Sequence, residues 1–462
     1  MSSNESGHTA RSFRYSVIIP HPTACKALVL PEGDAWGLPS WATGDQDLWE
    51  SMYPVNTLVR ERLGVRGRAL RAIHLDRDPE RKEHFNIYQL EILDPRWQAP
   101  PGAHWIAAGE LTGLQIARPP ERAALEAWFV LDGTAHHTPW YNPGWLDDAG
   151  DWLRTKATLA GYEPSGEVEH IRAWQRSAVL RLPTARGDLY LKAVPPMFRH
   201  EQRLNAFLEQ RFPEHAPRTV DYNDERRWAI TRDFGGQPLS AVKDFTIWED
   251  AYRRYAELQI ALLEHAPELI ALGVPVRPVS ALAERIEALV MNDDALLLGG
   301  NGGLTEVQAR QLRDALPQLR AGCAELAATP LPLALDHGDL WPANIVWSDG
   351  RLIYFDWSDC ALTHPFVSMI LCAEDAQSAF PERPDVPARV RSAYLEPWSR
   401  RLPGVDLYAV FELAWEVGAL HYALLYWEDI LPNLDPRWEL NRMVPFYLRI
   451  VLERMGREAL IP

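Results

Sequence analysis

Asp339 and Asn344 stand five residues apart in the stretch Leu335-Asp336-His337-Gly338-Asp339-Leu340-Trp341-Pro342-Ala343-Asn344-Ile345-Val346-Trp347. Asp349-Gly350 then marks a tight turn, and the apolar arm Leu352 to Phe355 beyond it delivers Asp356-Trp357. The spacing predicts a loop leading into a hairpin whose second arm returns Asp356 to the place where the loop began. Two carboxylates and an amide gathered in this way suit phosphoryl transfer, a reaction that asks little covalent chemistry of a protein. It needs one group to orient an attacking hydroxyl and hard oxygen ligands for Mg2+, which keeps part of its water shell and takes few side chains beside the phosphates. In that reading Asp339 faces an acceptor, while Asn344 and Asp356 face the metal.

Upstream, Lys192 interrupts the apolar run Leu189-Tyr190-Leu191-Lys192-Ala193. An ammonium among apolar strand neighbours is costly unless paired. Glu201, opening the next helical stretch, is placed to pair with it. Glu209 on the same stretch competes for that role, and a surface position on an edge strand is the plainer alternative for the lysine. The turn Trp174-Gln175-Arg176-Ser177 contains no glycine. Ser177 there offers a hydroxyl and backbone N–H groups to a phosphate, and a plain hairpin turn accounts for it equally well.

Three regions must hold these groups. From about Ser12 to Phe129, apolar runs (Tyr15 to Ile19, Ala27 to Leu30, Ile87 to Leu93) and a helix-like stretch at Val55 to Leu63 suggest a small mixed α/β module, taken here as 1–135. Residues 136–165 read as a connector, with turn signals at His136-His137-Thr138-Pro139-Trp140 and Asn142-Pro143-Gly144-Trp145 before a helix at Leu146 to Leu159. Residues 166–240 are strand-rich, at Val168 to Trp174, Ala178 to Leu182, Leu189 to Val194 and Trp228 to Arg232, with a helix at Phe198 to Arg211. Residues 241–462 turn helical, first at Ile247 to Glu264 and Leu304 to Leu326. Strands first and helices later imply an α+β body with two lobes.

His-Gly-Asp-x-x-x-x-Asn, a hairpin and Asp-Trp together resemble the aminoglycoside phosphotransferase and choline kinase-like superfamily, which shares its fold with protein kinases. Ser358-Asp359-Cys360-Ala361-Leu362-Thr363-His364-Pro365-Phe366 continues the likeness, although Ser368 stands where an acidic residue is common. The resemblance implies a bilobal protein-kinase-like fold with a small β-rich N-lobe and a helical C-lobe. It implies Asp339 as the catalytic aspartate, His337 as a buttress of its loop, Asn344 and Asp356 on Mg2+, and Lys192 with Glu201 on the α- and β-phosphates of ATP or GTP. Asp233-Phe234-Gly235 spells the metal-binding triplet of protein kinases but lies far upstream of Asp339. With Gly236 it is similar to the family's hinge, where Asp233 and Gly235 would lie along a purine. C-lobe helices line the family's acceptor pocket, so Asp359, Glu412, Trp415 and Glu416 are candidate substrate contacts. Carboxylates beside aromatic faces suit an amine or a sugar ring.

The N-terminal module carries Trp36-Gly37-Leu38-Pro39, Gly44, Glu50 and Val59-Arg60-Glu61-Arg62-Leu63-Gly64-Val65. These resemble a decayed Nudix hydrolase. Aligned on Gly64, only Glu61 of the metal-binding carboxylates remains, and Arg62 sets a positive charge among them, so a Nudix-like fold without hydrolase activity is expected.

The net charge of -16 argues against a nucleic-acid partner. Residues 241–462 hold 19 Lys and Arg against 32 Asp and Glu. A solvated acidic surface and a groove that attracts a cationic acceptor both account for that. No apolar run reaches the ~20 residues of a membrane helix, and Met1 to Arg11 lacks the apolar centre of a signal peptide, so a cytoplasmic protein is expected. Cys25, Cys323, Cys360 and Cys372 are scattered, as buried reduced thiols would be. The functional expectation is a kinase for a hydroxyl on a small, amine-bearing acceptor. The alternative is a catalytically silent nucleotide sensor partnered with the Nudix-like module.

Overall fold

A computed structural model describes residues 12–43, 52–75, 83–94, 96–131, 138–434 and 437–456. Gly44, Glu50, His136 and His137 lie outside the described residues, as does the stretch Met1 to Arg11. The protein is a mixed α+β chain whose backbone separates into two compact units, Met1–Ala193 and Val194–Pro462.

In the first unit, Ser12–Ile18 is a central strand because its residues from Tyr15 onward are buried on both faces. It pairs antiparallel with Ser40–Thr43 and parallel with Glu83–Ile92, whose other edge carries Gly67–Leu75. A second small sheet joins Ala35–Gly37, Ala27–Glu32 and His104–Ile106. Ile18, Val29, Ile87, Ile106, Leu125 and Trp128 form the core between these sheets and the helix Pro119–Leu131. Buried Glu121 on that helix accepts from Ser16 Oγ at 3.0 Å and from Leu38 N at 3.0 Å, so it pins the Trp36–Pro39 turn to the core. Burial raises its carboxyl pKa. The helix Tyr53–Leu63 stops at Gly64, whose φ of 60° closes a left-handed cap. Trp140 is buried in the connector and donates to Trp174 O at 2.8 Å. An antiparallel meander of Glu169–Trp174, Ser177–Leu182 and Leu189–Ala193 ends the unit.

The second unit opens with the helix Glu201–Arg211 and the hairpin Thr219–Asn223 and Trp228–Arg232. Long helices follow, at Phe245–Leu262, Glu306–Ala327, Val386–Arg401, Leu407–Leu424 and Met443–Arg454. Side-chain caps start three of them, Phe245–Leu262, Glu306–Ala327 and Leu407–Leu424. Asp244 caps Phe245–Leu262 by accepting from Thr246 N at 2.9 Å, and Thr305 and Gln308 form a reciprocal capping box on Glu306–Ala327. Leu425–Ile430 is a π-helical stretch rather than a continuation of regular helix. No helix among the described residues is long and apolar enough to cross a membrane. Cys25 is exposed, contrary to expectation, while Cys323, Cys360 and Cys372 are buried.

Candidate active site

Two short ladders build the site in the second unit. Ala334–Asp336 pairs with Ala361–Thr363, and Ile345–Ser348 pairs with Arg351–Tyr354. Together they bring the loop His337–Asn344 against the segment that follows Phe355. Contact is close enough to dictate residue types. A Cβ on Gly338 would sit 2.3 Å from Asp359 O, so only glycine fits there. Asp356 holds φ 65° and ψ 56°, a left-handed conformation rare for a residue with a side chain and typical of a site where geometry outranks local comfort.

The side chains then fall into place. Asn344 Nδ2 donates to Asp339 O at 2.9 Å and to Asp339 Oδ2 at 3.2 Å, which turns its amide oxygen away from Asp339. Phe355 N donates to Asn344 O at 3.1 Å, fixing Asn344 one residue from Asp356. Ser358 Oγ lies 2.7 Å from Asp356 Oδ1 and 3.0 Å from Glu201 Oε2. One hydroxyl thus bridges two carboxylates, an arrangement that suits a cation. Among the described residues no group of three or more His, Cys, Asp or Glu could hold a metal by itself. An amide oxygen and a carboxylate that complete their shell with phosphates and water fit Mg2+ better than an all-protein cage would. His337 is buried, with Nε2 3.0 Å from Phe355 O and Nδ1 accepting from Asp339 N at 3.3 Å, and its ring lies 4.4 Å from that of Trp357. Its position is that of a buttress between the loop and the Asp356 segment.

Beneath the loop lies a buried polar frame that sequence reasoning missed. His337 N donates to Tyr255 Oη at 2.9 Å and to Ser368 Oγ at 3.1 Å, and Ser368 N donates to Asp336 Oδ1 at 2.8 Å. Gln259 Nε2 donates to Leu335 O and Pro365 O, while Tyr394 Oη donates to Gln259 Oε1 at 2.6 Å. Asp336 is fully buried, and burial pushes its pKa up to about 7 against the opposing pull of Ser368. The unusual pairing of Asp336 with Ser368 was readable in the sequence only as a missing acid at 368.

The other candidate residues divide by location. Glu201 is buried and joined to Asp356 through Ser358, whereas Glu209 accepts from Thr219 N at 2.8 Å and lies 3.7 Å from Arg218. Asp233 accepts from Gly235 N at 2.7 Å in an exposed turn, and Gly236 leaves no room for a side chain against Trp347 O. In the first unit, half-buried Lys192 lies opposite Val179, and the Oγ of Ser177 accepts from Trp174 Nε1 at 2.9 Å across a two-residue turn. Glu412 is exposed and bound to Arg391, and Glu416 is exposed. The Trp415 ring carries the Arg454 guanidinium 3.7 Å from its centroid.

Two hollows flank the loop. A narrow cleft is lined by Asp339, exposed Trp341, Asp375, Tyr422 and Tyr447. Burial, with Glu374 nearby, pushes Asp375 up to about 7. A cavity of about 380 Å³ is lined by Ser358, Asp359, Arg277, Arg285 and, from the π-helical stretch, Asp429. Arg277 lies 3.1 Å from Asp429 there.

Residues 161–408, more than half of the chain, match the phosphotransferase enzyme family APH. The chain belongs to this family. The phosphotransferase segment takes in Lys192, Glu201, His337, Asp339, Asn344 and Asp356, and it ends before Glu412. The protein is accordingly a small-molecule phosphotransferase. Among solved structures it is similar to APH(2")-IIia in complex with GDP and kanamycin, at 17% identity over 66% of this chain and 98% of that one, with a TM-score of 0.44. Choline kinase from Cryptosporidium parvum Iowa II is similar at 12% identity over 63% and 89% of the two chains, with a TM-score of 0.45. Choline kinase LicA from Streptococcus pneumoniae is similar at 13% identity over 66% and 98%, with a TM-score of 0.44. No curated protein matches the chain.

Proposed function

We propose that the chain moves the γ-phosphoryl group of ATP or GTP to a hydroxyl of a small, amine-bearing acceptor. The observation that carries this reading is the convergence of Asp339, Asn344 and Asp356 at the base of one hairpin, with Ser358 tying Asp356 to Glu201. Asp339 would accept the hydrogen bond of the attacking hydroxyl and aim its oxygen at phosphorus. Asn344 and Asp356 would hold Mg2+, which neutralises charge on the phosphates when bound. Lys192 would meet the α- and β-phosphates, with Ser177 at their cover and Asp233 and Gly235 along the base. The Asp339 carboxylate beside exposed Trp341, at the mouth of the narrow cleft, supports an ammonium-bearing acceptor. The larger cavity carries both signs of charge, so hydroxy amino acids belong in the panel with amino alcohols and amino sugars.

The test is consumption of Mg-ATP and Mg-GTP by the full chain against that panel, with Asp339→Ala as the control. Acceptor-dependent turnover that the control lacks is expected. No turnover with any hydroxylated amine, or equal turnover in the control, sinks the reading. We take residues 1–135 as a Nudix-like module without hydrolase activity, a reading supported by the exposed Glu61 beside Arg62 at the end of its helix. Pyrophosphate-bond cleavage of a dinucleotide by the Asp339→Ala chain would overturn it.

A further inference from the structure

A cavity of about 370 Å³ opens in the first unit, lined by none of the residues proposed for the transfer reaction. Arginines from three separate elements line it. Arg60 stands on the last turn of the helix Tyr53–Leu63, Arg66 and Arg68 flank the start of the strand Gly67–Leu75, and Arg154 comes from the helix Trp145–Leu159. The carboxylates of the lining are already engaged. Glu167 lies 3.0 Å from Arg154, and Glu169 lies 2.9 Å from Arg181. Arg68 is held by Asp147 at 2.5 Å. Arg60 and Arg66, both exposed, therefore remain as lining cations with no ion pair among the described residues. The helix dipole accounts for a basic residue at the end of Tyr53–Leu63, where Arg62 also sits, but not for Arg66, Arg68 and Arg154 arriving from elsewhere at the same hollow.

Arg60 and Arg66 leave positive charge at this hollow in a chain of net charge -16, and such charge favours small anions. The volume falls in the range of roughly 300–1,000 Å³ usual for small-ligand sites. Arginines carried by separate elements around one hollow suit a tetrahedral, multiply charged group, which accepts bidentate bonds on several faces, better than a single planar carboxylate. His170 in the lining is buried and held neutral, its pKa pushed down to about 4 by burial and by Arg68, so the local positive charge comes from arginine alone.

We propose that this cavity binds a small phosphate-bearing anion. It is a second ligand site, independent of the transfer reaction. Titration calorimetry on the full chain, in EDTA-containing buffer, tests it with inorganic pyrophosphate, AMP and glucose 6-phosphate as separate probes and citrate as a non-phosphate polyanion. Saturable binding of at least one phosphate probe is expected, whichever source it represents, weakening as salt rises. The double variant Arg60→Glu/Arg66→Glu should lose about tenfold or more in affinity. Both positions are exposed, and an unchanged thermal midpoint of the variant shows that folding is not the cause. Absence of saturable binding by all the phosphate probes, equal binding by the double variant, or citrate bound as tightly as the best phosphate each overturns the proposal.

Discussion

Asp339 precedes and Asp356 follows the two arms of one hairpin, and the proposed reaction gives them different work. Asp339 is braced by the amide of Asn344, Asp356 by the hydroxyl of Ser358. Asp339→Ala should therefore lower kcat by about a thousandfold or more while nucleotide affinity, read by calorimetry, stays within a few-fold. Asp356→Ala should instead weaken Mg-nucleotide binding, and Ser358→Ala should do so more mildly, because Asp356 would keep its charge but lose the donor that sets its orientation. If both aspartate variants bind nucleotide equally well, the division of labour is wrong. Trp341 is exposed beside Asp339 and supports little of the fold, so Trp341→Ala should raise the acceptor KM about tenfold and leave the nucleotide KM unchanged. Equal shifts in both constants would remove Trp341 from the acceptor cleft.

The elements show how far spacing alone could go. The hairpin turning at Asp349-Gly350 and the arm ending at Phe355 were legible because turn chemistry and strand alternation are local. The frame of Tyr255, Gln259, Tyr394 and Ser368 was not, since those residues are far apart in the chain and each looks like an ordinary helical or loop position until the fold gathers them. The same holds for the basic cavity of the first unit, whose arginines span nearly a hundred residues. Gly338 offers a measurable test of the packing. It shares a φ near 80° with Gly350, but a Cβ at Gly338 would meet Asp359 O at 2.3 Å whereas one at Gly350 meets nothing. Gly350→Ala should cost about 1 kcal/mol, the backbone term alone. Gly338→Ala should cost roughly 2–4 kcal/mol in urea unfolding and abolish turnover, because the loop His337–Asn344 must separate from the Asp356 segment. Equal costs for the two alanines would mean that the loop and the segment are not in contact.

Stability belongs to the whole molecule, and buried titratable groups tie it to pH with opposing signs. His170, His364 and His421 are buried neutral, their pKa values pushed down to about 4, 3 and 3 by loss of hydration. Below the ordinary histidine value near 6.5 the unfolded chain binds protons that the folded one refuses, so these residues make stability rise with pH up to that point. Asp336 and Asp375 act the other way. Each is raised from 3.8 to about 7, so between those values the folded chain keeps a proton that the unfolded chain has released, and stability falls as pH rises. Asp336→Asn removes one of these descending contributions. The amide can still accept from Ser368 N, and the Oδ2 it replaces has no partner among the described residues, so any cost of the new N–H is independent of pH. Relative to the native chain, the variant should gain about 1.4 kcal/mol for each unit of pH between roughly 4.5 and 6.5. Urea unfolding at several pH values in that window would show it as profiles that diverge with rising pH, and parallel profiles would mean that Asp336 is ionised in the folded protein.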